Sequence, residues 1–320
     1  MQLPKTIAAA AEFIMGSAHN SLVMYTDLSK GAANLIYNFG NEAQKAQFLP
    51  KMLSGEWMGT MCLTEPQAGS SLSDVATAAS PQPDGTYLIQ GQKIFISAGD
   101  QDVTDNIVHL VLARVDGAPK GTKGISLFVV PKYRPENGQL VFNDVTTAGI
   151  YGKMGQKGYV AAHLMLGEQQ DDCRGYLVGQ PNQGLRYMFQ MMNEARIGTG
   201  MVAAATASAA YYASLKYAHE RPQGRHPSNK DISQPPVLII EHADVRRMLR
   251  PLGPVAELRV PLAPVLLPER WHDLQGHHDV AADAEPRQQC RVLEGHAGDG
   301  ERPRHLMPGH HHRAGGGGPE

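Results

Sequence analysis

Apolar residues recur at helical spacing through the first sixty positions, interrupted by residues that start and stop helices. Pro4 suits a first helical turn ahead of IAAAAEFIM, and Gly40 suits a helix stop. Asn41 with Gln44 three residues on makes a capping box opening NEAQKAQFL, which Pro50 is expected to limit. This stretch therefore reads as short helices. From Gly59 to about Val178 the period shortens to that of β structure. PDGTYLIQGQKIFIS carries a turn signal at Asp84-Gly85, and NIVHLVLARV, GISLFVVPKY and AHLML follow between Gly, Pro and Asp clusters, room for at least five strands. Beyond Pro181-Asn182, residues Gly184 to Glu220 contain no proline and are rich in Ala, Met and Leu, with apolar residues on more than one face, so a long, largely buried helix is expected. Strands that follow helices rather than alternate with them predict an α+β chain.

Composition sharpens this picture in two places. At about 150 residues per domain, 320 residues suggest two domains, and 42% hydrophobic with 19% charged content is that of an ordinary globular chain. A formal charge of -2 provides no general pull toward nucleic acid or an anionic membrane. Cys62, Cys173 and Cys290 are far apart and odd in number, which argues against a disulfide framework or a Cys-x-x-Cys site and for a reducing compartment. With no apolar run of membrane length and no targeting pattern in MQLPKTIAAAAEF, the reading is cytoplasmic.

The second place is the end of the chain. All twelve lysines precede position 231, whereas residues 251–320 hold no Lys, Asn, Ser, Thr, Ile, Phe or Tyr, yet eight of the fourteen histidines and nine of the twenty-two prolines. The expectation is a low-complexity tail that forms no packed domain, because one aromatic, Trp271, cannot anchor enough apolar burial. Its bias is that of a GC-rich gene read out of frame, and the hypothesis is that the authentic sequence stops near Arg250. An uninterrupted matching reading frame in relatives would refute it.

Candidate chemistry begins at MCLTEPQAGS, Met61 to Ser70, which by itself reads as a strand ending in a glycine-containing turn. Three more segments follow in order: KIFISAG at Lys93 to Gly99, MFQMMNEARIGTG at Met188 to Gly200, and YAHERPQGR at Tyr217 to Arg225. Together they resemble the acyl-CoA dehydrogenase family over about residues 1–250. SGEWMGTMCLTEP, GTKGISLFVVPKY and IIEHADVRRML resemble most the subgroup that includes 3-methylmercaptopropionyl-CoA dehydrogenase. The resemblance implies a partial N-terminal helical domain at 1–58, a middle β-barrel domain at 59–178 for flavin and acyl-CoA, the start of a C-terminal helical domain at 179–250, and the tail at 251–320. It also implies truncation at both ends.

By that resemblance the cofactor is FAD and the reaction is α,β-dehydrogenation of an acyl-CoA thioester. Met61, Leu63, Thr64 and Ser70 would line the flavin, with Phe95, Ile96 and Ser97 on the facing strand. Phe95 stands where better-known relatives have tryptophan, and reads equally as a plain core aromatic. Ser97 stands at their threonine, and Gln67 replaces a common glycine. Ser70, Asn193 and Arg196 would contact acyl-CoA, although Asn193 and Arg196, sharing one helix face at i and i+3, could simply pair with each other. Arg221 and Gln223 would meet the cofactor diphosphate of a neighbouring subunit in a homo-oligomer; solvated helix-end charge is the alternative. The resemblance further implies an electron-transfer flavoprotein or similar acceptor.

The catalytic base is not assigned. The usual glutamate would fall beyond Arg250, where no sequence resembles the base-bearing loop. In some relatives the base immediately precedes the helix arginine, here Ala195; Glu194 is one residue, about 100° around the helix, away and is a weak candidate. Two rival functions are a non-catalytic flavin-binding remnant and an alkylation-protection flavoprotein. No metal site is expected: His310, His311 and His312 lie among Pro and Gly, and His109 in its apolar strand reads as a core residue.

Overall fold

The computed structural model describes residues 5–226, 228–229 and 231–250; the tail at 251–320, with its histidines and the hypothesis about its origin, lies outside the described residues. Helix α1, Lys5–Phe39, is interrupted at His19 (φ -159°, ψ 88°), so it consists of two shorter helical stretches joined at that break. The long loop at 151–160 packs against that break: a Cβ on Gly158 would lie 2.8 Å from Ser21 Cβ and 3.0 Å from His19 Cε1. Helix α2, Glu42–Ser54, opens on the expected capping box, with Gln44 N donating to Asn41 Oδ1 at 2.8 Å and Asn41 N donating to Gln44 Oε1 at 3.0 Å. Pro50 does not limit it. The helix passes through Pro50 for one further turn and stops at Gly55, whose φ of 84° is open to glycine. Burial of Phe48, Leu49 and Met52 on one face outweighs the single backbone bond the proline forfeits. Asn41→Ala should lower stability by about 1 kcal/mol in urea unfolding, with the slope unchanged.

Among the described residues ten strands follow, twice the minimum expected. They are β1 Trp57–Cys62, β2 Ala78–Pro81, β3 Tyr87–Ser97, β4 Asn106–Val115, β5 Ile125–Pro131, β6 Tyr133–Glu136, β7 Gln139–Phe142, β8 Val145–Ile150, β9 Ala161–Leu166 and β10 Arg174–Leu177. The main sheet runs β1-β4-β5-β10-β3-β9-β8, and β2 pairs with both β3 and β4. Strands β2, β3, β10, β5 and β4 thereby close a five-stranded ring, the barrel of the middle segment. Because side chains alternate along a strand, β4 feeds two cores. Val108, Leu110 and Leu112 face the helices with Phe48, Leu35 and Met188, while Val111 and Ala113 join Phe128, Ile89 and Val130 inside the ring.

Helix α3, Gly184–Glu220, has the expected bounds but is not largely buried: seven of its 37 residues are buried, and Phe189, Ile197 and Tyr217 are exposed. Its packed face lies antiparallel along α1, where small residues allow close approach. A Cβ on Gly16 would meet Ala205 Cβ at 3.6 Å, and one on Gly31 would meet Met191 at 2.8 Å. The chain then turns back through a bridge between Pro222 and Leu238 into the short α4, Ala243–Leu249. Among the described residues no helix is long and apolar enough to cross a membrane.

Candidate active site

The turn after β1 and the end of β3 form one structure. Glu65 and Ala68 close the turn with paired backbone bonds of 3.0 Å each, and Ile94 N donates to Thr64 O at 2.9 Å, joining the turn to β3. Beyond Lys93 the register of β3 against β9 shifts: Lys93 faces Leu164, but Ile96 faces Ala162. The extra residue is absorbed by Phe95 at φ 57°, with Ala98 at 54°. A bulky side chain in the left-handed region is strained, and such strain is kept where the surroundings over-determine it. The bulge turns Phe95 outward, 56% exposed, with its ring 4.4 Å from that of Tyr151, so it is not a core aromatic. Ile96 turns into the ring core, and Ser97 stays half-buried.

Beneath this surface lies a buried ion pair that sequence reasoning passes over. Lys93, with none of its surface exposed, donates to Glu65 Oε1 at 2.7 Å, Leu112 O at 2.7 Å and Leu63 O at 3.3 Å. Glu65 also accepts from Thr77 Oγ1 (2.6 Å), Thr77 N (3.1 Å), Ala76 N (2.7 Å) and Gln67 Nε2 (2.6 Å). Desolvation acts to raise the Glu65 pKa, but the Lys93 charge and these hydrogen bonds outweigh it and hold the carboxyl below its ordinary range. The available signal was a lone lysine inside an apolar strand and an acid inside TEP.

The other expected residues divide by exposure. Met61 and Leu63 spend their side chains against the helix-side core, whereas Thr64 is half-buried and Ser70 exposed. Among the described residues the hydroxyls of Thr64, Ser70 and Ser97 have no hydrogen-bond partner. Ala68 is fully buried, while a Cβ on Gly69 would meet nothing within 4 Å. A flavin has flat apolar faces and a polar edge. An outward aromatic ring, three free hydroxyls on the two joined segments and open space over Gly69 fit that group.

On α3, Arg196 Nη1 donates to Asn193 Oδ1 at 2.8 Å, and both side chains are exposed, so the pair is internally bonded yet accessible. Glu194 turns toward α1, accepting from Asn34 Nδ2 at 3.3 Å. On the same seam Lys30 pairs with Glu12 at 2.5 Å, and burial, reinforced by the Glu12 charge and opposed by Lys30, pushes Asp27 up to about 6. Arg221 and Gln223 are exposed just past α3, their backbones tied to Ile239 and Val237. His109 is a core residue, as expected, but only half satisfied. Its Nδ1 lies 2.7 Å from Thr60 Oγ1, and its Nε2 has no partner among the described residues. Cys62 and Cys173 are free and buried, and burial raises both thiol pKa values, that of Cys62 to about 11.

Three family profiles match the chain in order: acyl-CoA dehydrogenase N-terminal domain at residues 1–56, middle domain at 60–168 and C-terminal domain at 182–242. The 3-methylmercaptopropionyl-CoA dehydrogenase of Ruegeria pomeroyi is 43% identical over 295 residues, covering 92% of this chain and 49% of that protein. Because 295 residues cannot fit within the first 250, that match continues past Arg250, which weighs against a wholly foreign tail. A solved structure described as the electron transferring flavoprotein of Acidaminococcus fermentans, on flavin-based electron bifurcation, superposes with a TM-score of 0.63 at 26% identity, over 77% of this chain and 58% of that one. Butyryl-CoA dehydrogenase from Megasphaera elsdenii shares the fold, with a TM-score of 0.61 at 23% identity over 84% of this chain and 63% of that one. The chain spans about half the length of the curated relatives it matches. Ordered matches to all three domains, on a ringed β segment between helices, lead to one conclusion: the chain belongs to the acyl-CoA dehydrogenase family.

Proposed function

We propose that this chain binds FAD and an acyl-CoA thioester for α,β-dehydrogenation of the acyl group. The observation that carries the reading is the strained bulge at Phe95 tied to the turn after β1 by the Ile94 N–Thr64 O bond, with unpaired hydroxyls on both segments. When bound, FAD supplies the hydride acceptor of this reaction. Thr64 and Ser97 would supply hydroxyls to it, Phe95 backed by Tyr151 would supply an aromatic surface, and Ser70 with the open backbone at Gly69 would receive the remainder. Asn193 and Arg196, already bonded to each other, offer amide and guanidinium groups to the acyl-CoA. Arg221 and Gln223 reach a cofactor diphosphate in a homo-oligomer, where a guanidinium suits bidentate contact. An electron-transfer flavoprotein or similar acceptor would be the redox partner of the loaded protein, a reading supported by the likeness to the Acidaminococcus structure. The division at 58, 178 and 250 and a cytoplasmic setting in fatty acid metabolism complete the proposal.

One observation favours a second reading, flavin binding without turnover. Three acids on or beside the segments of the site are engaged: Glu65 by Lys93, Asp100 by Lys132 at 2.5 Å and Thr147 at 2.6 Å, and Glu194 by Asn34. None of the three is a free base. Titration of the purified chain with FAD, followed by acyl-CoA, tests both readings. Saturable binding should weaken about five- to tenfold in Thr64→Val or Ser97→Ala, the worth of one hydrogen bond. Binding unaffected by both substitutions would sink the site. Bleaching of the flavin absorbance by acyl-CoA separates dehydrogenation from bare binding, and its loss in Glu194→Gln would assign the base.

A further inference from the structure

We propose that Glu65 and Lys93 are a positioning pair that locks the register of the β3 bulge to the turn after β1, and so fixes the spacing between Thr64 and the Phe95–Ser97 segment. The inference rests on the flavin reading for its functional meaning, but not for its geometry. Glu65 directly follows Thr64, and Lys93 is the last residue of β3 in register with β9 before the bulge. All three ammonium donors are used and they join two segments to β3: the turn after β1, through Leu63 O and Glu65 Oε1, and strand β4, through Leu112 O. The carboxylate in turn gathers Gln67, Ala76 and Thr77, so both ends of the 64–77 loop are tied to one charge.

That arrangement selects one register. A slip of one residue in β3 would send each side chain to the opposite face. Phe95 and Ser97 would then change face relative to the turn that Ile94 N joins at Thr64 O. The same slip would carry the Lys93 ammonium out of its three-acceptor nest and leave Glu65 buried without its counter-charge. A buried ion pair of this kind is often replaceable by apolar groups of similar volume at little cost in stability, so selection of a unique geometry is the role that suits it.

The test exploits that difference. A double variant, Glu65→Gln with Lys93→Met, removes both charges while keeping volume. Two readouts are followed: FAD affinity by absorbance titration, and amide exchange of Ile94, whose N–H reaches Thr64 O, against amides of the β4–β5 ladder. The expected result is a folded protein that binds FAD at least tenfold more weakly and exchanges the Ile94 amide at least tenfold faster, with the ladder unchanged. FAD affinity within twofold of the parent and unchanged Ile94 exchange would overturn the proposal. Should the double variant fail to fold, Thr77→Val, which deletes one bond to Glu65 Oε1 and leaves the pair intact, is expected to move both readouts in the same direction by a smaller factor. No movement in that variant would overturn the proposal equally. If the parent chain binds no FAD, the flavin reading fails, while Ile94 exchange still decides whether the pair locks the bulge.

Discussion

Replacing Glu65 by alanine is expected to destabilise the chain by about 3 to 5 kcal/mol, the range for breaking a buried pair by removing one partner. The loss has two sources. Lys93 would remain fully buried with carbonyl acceptors only, and burial already works to lower its pKa, with Glu65 providing the opposing charge. The Ala76 and Thr77 amides would also lose their acceptor, leaving the segment between the turn and β2 without its tether. Urea unfolding at pH 7 measures this directly as a fall in midpoint at constant slope. A change below 1 kcal/mol would mean that the lysine reaches water or sheds its proton at little cost, and the pair would lose its structural importance. The parent also has a signature here. With the Glu65 pKa depressed, its contribution is complete above the ordinary glutamate range, near 4.5, and fades as pH falls through the lower folded value.

Acid should expose His109 earlier. Burial, aided by the Lys132 charge and opposed by Asp100, pushes its folded pKa down to about 3, against an ordinary value of 6.5. The unfolded chain therefore takes up a proton below pH 6.5 that the folded chain refuses, and stability falls with pH across the interval from 6.5 to about 3. At about 1.4 kcal/mol per unit, the full interval is worth on the order of 4 to 5 kcal/mol. Paired carboxylates lose their contributions in the lower part of the same range, so the comparison that isolates the histidine is parent against His109→Gln. The difference in unfolding free energy between pH 7 and pH 4 should be smaller in the variant by about 3 kcal/mol. Equal slopes of stability against pH in the two proteins would mean that water reaches the unpartnered Nε2 and lets the ring ionise in place.

The features legible in the sequence were those decided by neighbours along the chain. The Asn41–Gln44 box spans three residues, and the bounds of α3 follow from a proline-free stretch. The Asp84-Gly85 turn is likewise local, with Thr86 N donating to Asp84 Oδ1. Features decided across the fold were not legible. Strands β6, β7 and β10 are four residues each, too short for a period-two pattern to stand out. Pro50 looks like a stop in the sequence because the burial of Phe48 and Met52 that holds its helix together is a tertiary fact. The site divides the same way. Thr64, Ser70, Phe95 and Ser97 are proposed through motif wording, and a backbone bond from Ile94 to Thr64 joins the turn to β3. The bond between Lys93 and Glu65 joins residues 28 apart, and neither residue carries a local mark of it beyond its charge.

The ring of five strands has a consequence for how the chain reaches its fold. Two of its pairings are between strands adjacent in sequence, β2 with β3 and β4 with β5. The other closures span long loops: Ala78 must find Arg114, and the four residues of β10 must bridge Leu88 and Phe128 from position 174 onward. Loop-closure entropy is spent before such contacts return anything, and folding slows as they dominate. Two hairpins that form quickly and wait for β10 would leave the free edges of β3 and β5 open in the interval. Unpaired edges are the surfaces through which chains join one another. The shortest strands of the ring thus govern the time during which the nascent molecule is exposed to aggregation.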